Sequence, residues 1–210
     1  MKSTDWLSAI DARLADQFRF ILEIDRLKGV LRASPAEGGA RRENTAEHSW
    51  HVSACASVLA EHAIGDVSID RVVRMLLVHD IVEIDAGDTP LYEQDAAASH
   101  VADERRAAAR LFGLLPDDQG RAFHTLWEEF EAANTADARF ARAVDRLLPM
   151  LINHAAGGGT WTDYDVDEGM VRERTGRIEE GSAVLWKAAE AVFADAVAKG
   201  WLKAAPSART

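Results

Sequence analysis

The 210-residue chain sets 35 acidic against 24 basic residues, a formal net charge of −11. With no Lys/Arg stripe, this balance excludes a nucleic-acid polymer as partner. It does not exclude a small anionic substrate, because a metal and a few arginines reverse the potential locally. Hydrophobic residues at 48% and charged residues at 28% match an ordinary globular chain. The N-terminal MKSTDWLSAI lacks a long apolar run, so neither a signal peptide nor a membrane span is expected. The lone Cys55 allows no intramolecular disulfide and suits a reducing cytoplasm.

In chain order, nearly every stretch reads with a helical period. Leu7, Ile10, Leu14, Phe18, Ile21 and Leu22 form one stripe from about Trp6 to Leu27, with Ser3 or Thr4 as cap. Pro35 and Gly38-Gly39 interrupt the period, so Arg32 to Arg42 is expected as an exposed loop. A second helix runs from Asn44 or Thr45 to about Ala63 and ends at Gly65. Ser68 caps a third, whose face Val72, Val73, Leu76 and Leu77 leads into His79-Asp80 and continues to Gly87. Further helices are expected at about 94–113, 117–133 and 136–155, closed by Gly157-Gly158-Gly159, then at about 166–180 and 182–198. No alternating strand pattern of useful length and no internal repeat is found. The expected class is all-α, one domain over 1–210 with its core at about 15–160 and C-terminal helices at about 166–200.

Four metal-compatible residues fall on three of these helices: His48, the adjacent His79 and Asp80, and Asp145 within FARAVDRLLPM. Adjacent helical residues point about 100° apart, so the His-Asp pair converges on one ion only at a slant and needs ligands from other helices. Two imidazoles and two carboxylates suit one divalent ion, manganese, cobalt, iron, nickel, zinc or magnesium rather than calcium. Such an ion acidifies water and polarises a phosphoryl oxygen. RMLLVHD is strongly apolar, which makes an unpartnered charge there costly. On these features alone a buried His–Asp hydrogen bond remains the alternative.

The set His48, His79-Asp80, Asp145 resembles the H…HD…D signature of the HD-domain metal-dependent phosphohydrolases. RRENTAEHSWH and MLLVHDIVEIDAGDT resemble the branch that contains the bacterial 5′-deoxynucleotidases and the HD-domain-containing protein 2 type, as do LFGLLPDDQG, LWEEFE, ARFARAVDRLLPMLIN and GGGTW. The likeness spans roughly residues 15–200 and implies a bundle of helices around one divalent ion. It also implies catalytic roles for Glu83 and Asp88: Glu83 orients or deprotonates the attacking water, and Asp88 protonates the leaving oxygen or binds a sugar hydroxyl. Without it, Glu83 reads as a solvated helix carboxylate and Asp88 as a turn or capping residue. Arg32 matches a phosphate-contacting arginine of the family; Arg41 and Arg42, nearer His48 in sequence, are second candidates for substrate binding.

His51 reads as a core histidine, and His154 falls about 180° round its helix from Asp145, away from the ion. His100 and His124 do not resemble the extra histidines of binuclear HD enzymes. Trp127, Trp161 and Trp186 read as core or interface aromatics. The expected activity is a 5′-nucleotidase acting on deoxyribonucleoside monophosphates, in a cytoplasmic homodimer. The alternatives are an HD phosphohydrolase acting on another small phosphate ester or nucleoside polyphosphate, or a silent metal- or nucleotide-binding regulatory module.

Overall fold

A computed structural model describes residues 5–89 and 97–205. Its main helices are α1 (Ala12–Ile24), α2 (Thr45–Leu59), α3 (Ile69–Val78), α4 (Glu83–Ala86), α5 (Ala97–Phe112), α6 (Asp117–Ala132) and α7 (Ala136–Ala155). The short α8 (Thr160–Asp163), α9 (Glu168–Thr175) and α10 (Ile178–Gly181) follow, and α11 (Ala183–Ala198) is last. The all-α reading holds.

Local chemistry sets five of the helix starts. The Asn44 side chain accepts from Glu47 N while the Glu47 carboxylate accepts from Asn44 N, a capping box that fixes the first turn of α2. Asp11, Thr135, Asp167 and Ser182 cap α1, α7, α9 and α11 in the simpler way. The proposed caps Ser3 and Thr4, like the stretch 94–96, lie outside the described residues. The first helix is shorter than expected: Asp5–Ala9 and Asp25–Gly29 are 3₁₀ turns flanking α1.

Arg32 to Arg42 is not a loop. Leu31–Ala36 and Arg41–Asn44 pair antiparallel as β1 and β2, with Pro35 opposite Arg42, Ala36 opposite Arg41 and a register shift between Leu31 and Pro35. A two-stranded ribbon has two free edges, so Pro35 costs it no obligatory ladder bond. The ribbon has no hydrophobic alternation to betray it, because it is held by its neighbours α2, α7 and α8 and not by a core face of its own.

The buried side chains form two clusters. Val52, Val72, Met75, Leu76, Phe140, Val144 and Phe193 belong to the larger, built around α7. Phe20, Val78, Ile81, Val82, Leu111, Phe112 and Trp127 belong to the smaller, between α1, α5 and the end of α3. Burying each such side chain contributes about 1.5–3 kcal/mol. The chain from Val72 to Val82 crosses from one cluster to the other, and His79-Asp80 falls at the crossing. α10 lies close against α7, where a Cβ on Gly181 would stand 2.3 Å from the Arg139 carbonyl oxygen. Among the described residues no helix is long and apolar enough to cross a membrane.

Candidate metal centre

The crossing reshapes the helix. His79 N still bonds Met75 O at 2.9 Å, one full α-turn back, but Ile81 N reaches Val78 O at 3.1 Å and Glu83 N reaches Asp80 O at 3.0 Å, three residues back. The continuous helix expected to Gly87 therefore ends at Val78 and resumes only at Glu83. The reason is that Val78, Ile81 and Val82 must turn into the second cluster. Three-residue spacing eclipses side chains at i and i+3, which stacks Asp80 and Glu83 on one side. Gly87, with φ +77°, then ends α4 and lets the chain turn back so that Asp88 faces the same place.

The other donors arrive from α2 and α7. His48 lies one turn inside α2 and is fully buried. Asp145 sits in mid-α7, and Pro149 four residues on has no N–H to give its carbonyl, so the helix carries a weak point at the metal-compatible aspartate.

His48 Nε2 lies 3.0 Å and His79 Nε2 3.5 Å from Asp145 Oδ1; His79 Nε2 lies 3.0 Å from Asp80 Oδ1, and His48 Nε2 lies 3.9 Å from Asp80 Oδ2. His48, His79 and Asp145 each offer a ligand atom within 4.8 Å of the others, and Asp80 borders the group. His79 Nδ1 donates to the Leu76 carbonyl at 2.7 Å, which turns Nε2 toward the carboxylates. That nitrogen is buried and has no hydrogen-bond partner among the described residues, the condition a cation between the three groups would satisfy. The donor set therefore fits a divalent ion.

Glu43, at the end of β2, lies 3.4 Å from His48 Nδ1 through Oε2, which is likewise buried and without a hydrogen bond. A carboxylate behind a ligating imidazole fixes its tautomer and raises its basicity. Sequence reasoning missed Glu43. Its signal was a lone carboxylate immediately before the Asn44 cap of the helix that carries His48.

Burial and mutual charge set the ionisation of the site. Burial pushes the His79 imidazole down, but Asp80 and Asp145 outweigh it and hold His79 well above its ordinary range. For Asp145, burial pushes up, and His48 and His79 together pull it well below the carboxylate range. Glu83 goes the other way: burial first, then Asp80, raise it well above the usual value. Asp88 is also raised, by burial first and despite Arg32.

Of the three arginines considered for substrate, only Arg32 reaches the site. Its Nη1 donates to Asp80 Oδ2 at 3.1 Å and lies 3.3 Å from Asp88 Oδ1 and 3.7 Å from Glu83 Oε1; Nε lies 3.7 Å from Glu43 Oε2. Ala33 N donates to Asp88 Oδ2 at 3.3 Å. Arg41 is exposed and pairs with Glu37 and Glu47, while Arg42 donates to the Arg32 carbonyl at 2.6 Å from outside. The ribbon points both away from the pocket, an orientation invisible while the segment reads as a loop.

A cavity of about 450 Å³ opens on these groups, its walls including Arg32, Asp80, Glu83, Asp88, Asp145 and Arg146. His100 also lines it, between Thr89 Oγ1 and Glu104, both at 3.1 Å. His51 is half-buried beside the exposed Trp50 and is no core residue. His154 pairs with Asp195, away from the site, and His124 pairs with Glu128 on the outside of α6. Trp127 and Trp161 are buried in the two clusters, and Trp186 packs against the larger.

Comparison with known proteins agrees with this geometry. The HD domain family model matches residues 24–186. The chain is 29% identical over 138 residues to 5′-deoxynucleotidase HDDC2 of Homo sapiens, covering 63% of this chain and 66% of that protein. It is 29% identical over 148 residues to a 5′-deoxynucleotidase of Erwinia tasmaniensis, covering 66% and 74%. The chain thus spans just under two thirds of the length of the human relative. A solved structure from Magnetospirillum magnetotacticum, described as a predicted metal-dependent phosphohydrolase, is 51% identical with a TM-score of 0.88, covering 93% of this chain and 97% of that one. With the histidine and aspartate donors gathered from α2, the end of α3 and α7, and most of its length matched, the chain belongs to the HD domain family.

Proposed function

We propose that this protein is a metal-dependent phosphohydrolase that releases phosphate from deoxyribonucleoside 5′-monophosphates. One observation carries the reading: His48, His79 and Asp145 converge beside two carboxyls of raised pKa, Glu83 and Asp88, on a cavity of about 450 Å³. That volume falls in the range of small-molecule sites. The relatives named 5′-deoxynucleotidases support the substrate class.

His48, His79, Asp80 and Asp145 would hold one divalent ion. When bound, such an ion supplies Lewis-acid charge to a phosphoryl oxygen and acidifies water. Glu83, fixed by Thr45, takes the proton of the attacking water. Asp88, held by Ala33 N and Arg32, gives a proton to the leaving 5′ oxygen. Arg32 balances Asp80, Glu83 and Asp88 and orients them around the phosphate. The exposed apolar side chains Ile21, Leu22, Trp50, Val58 and Val184 support a homodimer.

The test is a panel of ribo- and deoxyribonucleoside 5′-monophosphates with added manganese or cobalt. Phosphate release with a deoxyribose preference is expected; no release from any of them overturns the proposal.

A further inference from the structure

Arg146 differs from its neighbours on the pocket wall. Arg32 is shared among four carboxylates, and Arg142 pairs with Glu131 at 3.2 Å. Arg146 has no carboxylate within ion-pair distance among the described residues. Its guanidinium donates to the backbone carbonyl of Arg174, and the residue is half-buried on the cavity wall beside Arg142. A partly desolvated cation among like charges is costly unless an anion completes it.

Arg142 and Arg146 lie four residues apart on α7, hence on one face, and both line the same cavity. The Arg142 Nε is buried and has no hydrogen-bond partner among the described residues. Two guanidinium groups therefore retain unused donors beside Asp145. The remainder of the site leaves room for them: Glu43, Asp80, Glu83 and Asp88 all lie within 3.1–3.7 Å of the single guanidinium of Arg32, so a phosphate group competes there with the site's own carboxylates.

We propose that Arg146, assisted by Arg142, forms a second anion subsite that grips the phosphate group from the α7 wall, with Arg32 engaged mainly by the site's own carboxylates. The subsite takes a phosphomonoester or its product, inorganic phosphate, through the planar fork that suits tetrahedral oxyanions. This rests on the phosphohydrolase reading above and assigns its substrate grip to residues not considered from the sequence.

The test measures binding of inorganic phosphate to the metal-loaded protein by calorimetry, with metal content by elemental analysis and KM and kcat on the best monophosphate. Arg146→Gln is expected to weaken phosphate binding and raise KM by about tenfold or more, as for loss of a charge-assisted hydrogen bond, with metal content unchanged. Arg142→Gln is expected to show a smaller loss of the same kind. Should Arg146→Gln not fold, Arg146→Lys keeps stem and charge but not the fork, and a severalfold loss is expected. Wild-type phosphate affinity in a metal-replete Arg146 variant overturns the subsite while leaving the enzyme reading intact. Conversely, Arg146-dependent phosphate binding without release from any monophosphate upholds the subsite and removes the substrate assignment.

Discussion

Thr45 Oγ1 donates a 2.8 Å hydrogen bond to Oε2 of Glu83, joining the first residue of α2 to the first residue of α4 across the site. Thr45 is fully buried, so this bond is the means by which the capped start of α2 orients the carboxylate. Because it favours the ionised form of Glu83 against burial and Asp80, its loss pushes Glu83 up further. Thr45→Val is therefore expected to shift the acidic limb of the pH–rate profile upward by about half to one unit, since Glu83 must be ionised to act as base. Glu83→Gln should lower kcat by about 10²–10⁴-fold and abolish that limb. An unmoved limb in Thr45→Val would assign the limb to another group.

The same carboxyl carries a stability consequence. Its folded pKa is raised, so the folded state holds a proton that the unfolded chain has already released, and stability falls as pH rises from the ordinary carboxylate range toward the raised value. Glu83→Gln removes that dependence. In chelator, its Tm relative to wild type is expected to increase with pH across this window and to level off below it, as followed by thermal melts at a series of pH values.

Metal removal should be visible without any substrate. An ion bound by His48, His79, Asp80 and Asp145 stabilises the folded state by about 2.7 kcal/mol at a hundredfold excess over its Kd. A chelator is expected to lower Tm, and manganese or cobalt to restore it. His79→Ala and Asp80→Ala should lose both the retained metal and this response. An Asp80→Ala protein that kept stoichiometric metal would remove Asp80 from the ligand set.

Glu43 stands behind His48, and its side chain also approaches Arg32. Glu43→Gln is expected to weaken metal affinity by about 10–100-fold, read by competition with a chromogenic chelator, while near-saturating metal recovers most of the turnover. Full affinity in the variant would mean that the 3.4 Å approach to His48 Nδ1 has no bearing on the metal.

Gly181→Ala tests packing away from the chemistry. Its Cβ would stand 2.3 Å from the Arg139 carbonyl oxygen and 2.8 Å from Ala143 Cβ, so α10 must move off α7. Overpacking of this kind costs about 1–3 kcal/mol. A denaturant melt should show that loss.

The helical elements were legible because their causes are local. Asn44 and Glu47 cap α2 by their own side chains, Gly87 ends the stretch that holds His79 and Asp80, and the apolar period of α3 and α7 follows from 3.6 residues per turn, although Ser68 starts α3 without the side-chain cap expected of it. His79, Asp80 and Asp145 stood out for a related reason: imidazole and carboxylate in apolar runs need a partner, and His48 joined them through the resemblance to the H…HD…D signature.

What only the tertiary structure decided depends on groups far apart in sequence. The ribbon of β1 and β2 has no core face of its own, so nothing in Arg32 to Arg42 announced it, and its pairing is what sends Arg32 inward and Arg41 and Arg42 outward. The break after Val78 follows from two hydrophobic clusters that pull successive residues in different directions, which no single helical period reveals. Glu43 became a partner of His48, and Arg146 a cation with no carboxylate in ion-pair distance among the described residues, only when strands and helices were assembled. The sequence by itself determined which chemical groups the site contains, since those are fixed by residue type and local period. Their ionisation and their division of labour arose from burial and from the charges that packing placed around them.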